Sequence, residues 1–295
     1  MDLIAVSDIY GDVRIVREFL SRISDSKKDD RVIVVVGDID IKAYSTNYFR
    51  NVNRILKLLS KNCKVLFYVP GDSDAKKLIV TGQNIVNIDI NNFIVKVNDM
   101  KIGLLGLGGA PSHSIREKKF FTYLWDENIP IVREGLMRDL KINLEKLMVE
   151  RPDYMILVTH SPPYGIADYS RPITLSEEVM LEDILEEEEQ EKEIERARKR
   201  ATRNPRHLGS RMLKEFVRYY KPDIHIFSHV HKQGGKRITK DGTTFFNVSH
   251  LSPLPHRLTG RKYLSLELTK RNIISTFDSI VIKDLPFRDF LETYL

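Results

Sequence analysis

Val32-Ile33-Val34-Val35-Val36-Gly37-Asp38 is an unbroken β-branched run closed by a glycine and an acid. Such a run, with no polar member to place on a wet face, reads as a strand buried on both sides. Four more runs have this form, at residues 3–6, 65–69, 154–158 and 224–227. Each leads at once into a residue with chemistry to offer: Ser7-Asp8-Ile9-Tyr10-Gly11, Pro70-Gly71-Asp72, Thr159-His160-Ser161-Pro162-Pro163 and Ser228-His229-Val230-His231. A lone Gly-Asp or His-x-His is ordinary loop chemistry. Five such sites at five strand ends are not, because ligands of open α/β sheets gather beyond the carboxyl ends of the strands. Imidazole is the commonest protein ligand for transition metals, and the aspartates add oxygen, so the set is large enough for two metal ions.

The remaining pattern places helices outside these strands. Residues 13–23 and 48–59 carry apolar side chains at helical spacing and each follows a strand, as in βαβ units. Residues 85–88, 93–97 and 102–107 read as short strands joined by polar turns, the expectation being antiparallel hairpins. Residues 136–149 are helical again. Residues 206–220 read as an amphipathic helix with Leu208, Met212, Leu213, Phe216, Val217 and Tyr220 inward. Strands at 244–248, 263–268 and 273–277 close the chain. Two inner sheets with helices on both outer faces follow.

Composition excludes several classes. The 295 residues are 42% apolar and 30% charged, with one cysteine, so a disulfide framework is ruled out. No segment approaches the roughly 18 apolar residues of a membrane span. The first residues run straight into a strand without the basic and apolar regions of a signal peptide, so a cytoplasmic protein is expected. The net charge is +6. Residues 176–203 hold eleven acidic and six basic side chains, which leaves the rest of the chain strongly basic. A basic body suits a phosphorylated or polyanionic substrate, nucleic acid included.

That charged stretch runs from Glu186–Glu189 to Arg198–Arg200, in the order that complements a helix dipole. Its apolar stripe ends after Leu185. We expect one domain over 1–295 carrying a charged helical insertion over 174–206. Lying between His160 and His229 in sequence, 176–203 is a candidate arm for a protein partner.

The order Asp8-x-Tyr10-Gly, Gly37-Asp38, Gly71-Asp72-x-Asp74, Thr159-His160 and Ser228-His229-x-His231 resembles the calcineurin-like metallophosphoesterase superfamily. The stretches His160-Ser-Pro-Pro-Tyr-Gly and His207-Leu-Gly-Ser resemble its compact prokaryotic members. The resemblance covers roughly residues 1–275 and implies a four-layer α/β/β/α sandwich of two mixed sheets flanked by helices. It implies that Asp38 bridges two metals, that Asp8 and His231 complete the first, and that Asp72, His160 and His229 complete the second. A metal-bound hydroxide would then attack phosphorus. Manganese, iron, zinc and nickel all suit such ligands.

Tyr10 stands where the family carries a ligand histidine, Asp72 where asparagine is usual, and Ser73 where many members carry the histidine that protonates the leaving group. The expected activity is hydrolysis of phosphodiesters. The alternatives are a fold kept as an interaction module with weak or no catalysis and, on the basic charge alone, a nuclease. A further candidate is Gly106-Leu-Gly-Gly109-Ala-Pro-Ser-His113-Ser-Ile-Arg116. Its amides suit an anion, and His113 and Arg116 are the candidate catalytic contacts to phosphate. His250 and His256, in a proline-rich loop, are read as peripheral.

Overall fold

The buried runs become the centres of two six-stranded sheets in the computed structural model, which describes residues 1–23, 25–40, 47–80, 82–112, 123–170, 206–251, 261–270 and 272–280. In the first sheet, β1 (Asp2–Val6), β2 (Arg31–Val36), β3 (Val65–Val69) and β4 (Ile85–Asn87) lie side by side and parallel. On the far side of β1, β15 (Arg261–Thr269) and β16 (Asn272–Ile280) are antiparallel. The second sheet centres on β6 (Met100–Leu107), β9 (Tyr154–Thr159), β12 (Ile224–Phe227) and β14 (Thr243–Asn247), all parallel. The antiparallel edge strands β5 (Asn92–Val97) and β13 (Lys236–Lys240) flank it.

Alternation along each strand divides the core. Leu3, Ala5, Val32, Val34, Val36, Phe67 and Val69 meet Ile102, Leu104, Ile156, Val158, Ile224 and Ile226 between the sheets. The opposite set, Ile4, Val6, Ile33, Val35, Leu66 and Tyr68, packs on α1 (Val13–Arg22) and α2 (Tyr48–Ser60). Leu105, Leu107, Leu157 and Phe227 pack on α3 (Pro130–Val149) and α4 (Arg211–Tyr220). Each Val, Leu, Ile or Phe among them contributes about 1.5–3 kcal/mol when fully buried. The layers are therefore α/β/β/α, with two mixed sheets inside. Two short pairs complete the strands: β7 (Ala110–Pro111) with β8 (Leu124–Trp125), and β10 (Tyr169–Ser170) with β11 (Arg206–His207).

Three expectations need correction. The strand near residues 85–88 forms no hairpin with the next one. It pairs in parallel with β3, and the chain then crosses to the other sheet, where Ile88 N–H donates to Tyr68 O and Ile90 N–H to Gly106 O. An apolar run carries no label for its partner. Helix α3 begins six residues earlier than its apolar stripe, at Pro130, a residue suited to the first helical turn. Helix α4 begins at Arg211, because Ser210 Oγ accepts from Leu213 N–H and caps it, while Leu208 N–H is taken by Asp168 O. The charged insertion lies outside the described residues. Among the described residues, no helix is long and apolar enough to cross a membrane.

Candidate metal centre

The loops that leave β1 and β2 continue to pair after the strands end. Asp8 N–H donates to Gly37 O, Ile9 and Tyr10 N–H to Asp38 O, and Gly11 N–H to Ile39 O. This turn holds Asp8, Tyr10 and Asp38 at φ 52°, 51° and 49°, and His229 is held at 66°. Left-handed backbone is uncommon for residues with a side chain and gathers at functional sites. At His229 the cause is visible: Val230 N–H closes on Ser228 O, so the histidine is the centre of a tight γ-turn.

Asp74 ties the loops together. Its carboxylate accepts from Gly71 N–H (2.8 Å), Ile39 N–H (3.1 Å), Asp40 N–H (3.2 Å) and the Tyr48 hydroxyl (3.0 Å). The motif Gly71-Asp72-x-Asp74 contains it, but one carboxylate spanning three chain segments has no signature in spacing. Two glycines admit the approach. A Cβ on Gly37, at φ +86°, would stand 2.3 Å from His160 Nδ1, and one on Gly71 would stand 2.0 Å from Asp38 Oδ1.

The six residues singled out as ligands converge. His160 Nε2 lies 2.8 Å from Asp72 Oδ1 and 3.6 Å from Asp38 Oδ1. His229 Nδ1 lies 3.0 Å from the same Asp72 oxygen. On the other side His231 Nε2 lies 3.1 Å from Asp8 Oδ1. Two clusters, Asp72–His160–His229 and Asp8–Asp38–His160, keep their donor atoms within 4.8 Å of one another. All three carboxylates leave strands of the first sheet, and all three imidazoles leave strands of the second. His160 Nδ1 donates to Val36 O at 2.8 Å, which turns Nε2 toward the carboxylates. Ser73 holds Asp38 through its N–H (3.0 Å) and its hydroxyl (3.3 Å).

The electrostatics call for cations. Burial, then Asp72 and Asp8, push the Asp38 carboxyl well above its ordinary range. Burial opposes ionisation of Asp72 and Asp8 too, but His229 and His160 hold the first low and His231 the second. Burial disfavours the His160 imidazolium, yet Asp38, Asp72 and Asp8 outweigh it and push the group up to about 10. Asp72 and Asp8 thus lean on neighbouring histidines for compensation, while Asp38 is driven towards its neutral form. Nitrogen and carboxylate donors at this density fit divalent transition metals, whose charge would take over that compensation.

Tyr10 sits inside this set. Burial, reinforced by Asp38, Asp8 and Asp72, pushes its phenol well above the ordinary value. A neutral phenol is a weaker ligand for a divalent ion than the imidazole the resemblance places here.

Other candidates fall elsewhere. His113 and Arg116, like His256, lie outside the described residues. The glycine loop before them does not offer its amides to an anion. Gly108 N–H is taken by Asp89 Oδ1 (2.7 Å), Gly109 N–H by Pro70 O (2.9 Å) and Ala110 N–H by Tyr123 O (3.2 Å). Its glycines serve close packing, since a Cβ on Gly109 would stand 2.4 Å from Tyr123 O. His250, read as peripheral, is buried, with its ring centroid 4.8 Å from that of His231. Nothing in a proline-rich loop signals that contact.

A four-layer sandwich of two mixed sheets with acids and histidines gathered at one edge is consistent with the metallophosphoesterase fold. The chain belongs to the calcineurin-like phosphoesterase family, whose profile matches residues 1–233. A comparison with curated proteins finds no match. One solved structure is similar over 95% of this chain and 99% of its own, at 15% identity and TM-score 0.60. The protein TT1561 of Thermus thermophilus is similar over 93% and 97%, at 15% identity and TM-score 0.58. Vps29 of Entamoeba histolytica, complexed with Zn2+, aligns over 95% and 100% at 14% identity, with a TM-score of 0.39. At these identities the first two speak for the fold alone, and the third is too distant to carry an argument.

Proposed function

We propose that this chain is a metal-dependent phosphoesterase that hydrolyses phosphodiesters, with Asp8, Asp38, Asp72, His160, His229 and His231 holding one or two divalent ions per chain. The observation that carries this reading is the convergence of three buried carboxylates and three imidazoles on one strand edge. When bound, such ions polarise phosphoryl oxygens and make water a nucleophile near neutral pH. The protein's own part is positioning. Val36 O fixes the His160 ring, Ser73 orients Asp38, and Asp74 keeps the two acid-bearing loops in register. The strongly basic charge outside 176–203 favours an anionic ester.

The test is to purify the protein without chelator, measure its metal content, and assay bis-p-nitrophenyl phosphate against p-nitrophenyl phosphate with Mn, Zn, Ni or Fe added. Metal-dependent turnover with the diester preferred is expected, manganese being the first candidate. Monoester preference would move the substrate class.

One observation favours a second reading. Tyr10 places a neutral hydroxyl beside His231, where the resemblance expects an imidazole. A chain that binds no metal and cleaves neither ester would be an interaction module, with protein contacts as its function.

A further inference from the structure

Asp168 is fully buried, and both its oxygens lie 2.9 Å from His207 Nδ1. The carboxylate also accepts from Gly165 N–H (2.9 Å) and Gly209 N–H (3.3 Å). The His207 ring is held between two tyrosines, with centroids 4.3 Å from Tyr164 and 4.1 Å from Tyr169. Arg211 and Lys214 lie over the Tyr164 ring at 5.3 and 5.1 Å from its centroid. With Nδ1 committed to Asp168, Nε2 is the nitrogen left for another partner. It has no hydrogen-bond partner among the described residues, and the side chain is 23% exposed. A histidine backed by a buried carboxylate with its outer nitrogen open has the build of a proton donor.

Its place in the fold gives it a target. The segment carrying it is hydrogen-bonded to the turns that follow both histidine loops. Tyr164 N–H donates to Ser210 O and Ser210 N–H to Pro162 O, joining it to the turn that follows His160. Facing His207 across the short pair, Tyr169 receives the Gln233 side chain at 3.1 Å, two residues beyond His231. Asn247 Nδ2 bridges Ala167 O and Val230 O on the same side.

We propose that His207, oriented by Asp168, is the general acid for the leaving group, the task Ser73 has no acidic proton positioned to perform. The inference rests on the hydrolase reading above. Water oxygen forms the new bond to phosphorus and gives its proton to solvent. The ester P–O bond breaks with its electron pair on the departing oxygen. That oxygen takes the Nε2 proton of His207, and solvent water then reprotonates the ring.

The experiment compares two diesters, using metal-loaded protein. The nitrophenolate of bis-p-nitrophenyl phosphate leaves without a proton, whereas the alkoxide of a dinucleoside monophosphate does not. Two variants guard against misfolding: His207→Asn keeps a donor facing Asp168 but has no outer nitrogen, and His207→Gln is the second, with melting temperatures measured for both. Each should lose about 100-fold on the dinucleotide and under about 3-fold on the nitrophenyl ester, general acids being worth about 10²–10⁴-fold. Equal losses on both esters overturn the proposal, as does wild-type protein that cleaves only the nitrophenyl ester. Wild type that binds metal and cleaves neither overturns the hydrolase reading and the proposal with it.

Discussion

The hydroxyl of Tyr10 lies 3.1 Å from Nε2 of His231, the nitrogen that also stands 3.1 Å from Asp8 Oδ1. One imidazole nitrogen therefore faces a carboxylate that would share a cation with it and a phenol that would not. Tyr10→His should raise metal content on this side and increase hydrolysis of bis-p-nitrophenyl phosphate. Histidine also tolerates the left-handed backbone here better than most residues do. Metal content and turnover that do not rise would mean the phenol has a use of its own.

The opposite side should fill first. Asp72 Oδ1 gathers both His160 and His229 within 3.0 Å, and Asp38 stands beside them. Calorimetric titration of Mn into apoprotein should give a tight step and a weak one. Asp72→Ala should weaken the tight step by more than about 100-fold, the upper end of what outer-sphere changes cost. Two equal steps in the wild type would contradict this ranking.

Gly37 and Gly165 make a matched pair for separating backbone strain from collision. Both have positive φ, +86° and +84°, but a Cβ on Gly165 meets nothing within 4 Å. Gly165→Ala should cost about 1–2 kcal/mol, the penalty of the left-handed region alone. Gly37→Ala should cost clearly more in urea unfolding and should abolish metal binding, since its methyl would displace the His160 ring. Equal costs would show that the loop gives way freely.

His225 should set part of the acid limb of stability. Its Nε2 meets Thr159 Oγ1 at 2.8 Å inside the second sheet, and burial pushes the group from 6.5 down to about 3. Between those values the unfolded chain binds a proton that the native chain refuses. The contribution of a neutral His225 is therefore intact above pH 6.5 and is lost as pH falls through this window, at a slope of up to about 1.4 kcal/mol per pH unit. His225→Gln, which does not titrate, should flatten the dependence measured by urea unfolding from about pH 7 to about pH 5. Parallel slopes for the two proteins would refute the assignment.

What was legible beforehand was whatever repeats or stands at a strand end. Runs such as 32–36 announce strands covered on both faces, and the residue after each run announces the edge where Asp8, Asp38, Asp72, His160, His229 and His231 meet. Pairings decided by the third dimension were not legible. The parallel partner of Ile85–Asn87, the burial of His250 against His231, and the reach of Asp74 across three segments depend on residues far apart in sequence. The glycines at 108 and 109 misled for the opposite reason: a local pattern that fits an anion cradle serves tight backbone packing here.

The division of acids to one sheet and imidazoles to the other makes the centre a clasp across the seam between them. Neither sheet carries both the acids and the imidazoles by itself. A cation bound there would resist any sliding of one sheet over the other, and its binding energy would add to the cohesion of the whole sandwich by mass action. The melting temperature should then rise with free metal concentration even in a variant that turns over no ester. Loading with metal thus becomes a gauge of whether the two halves have closed in register.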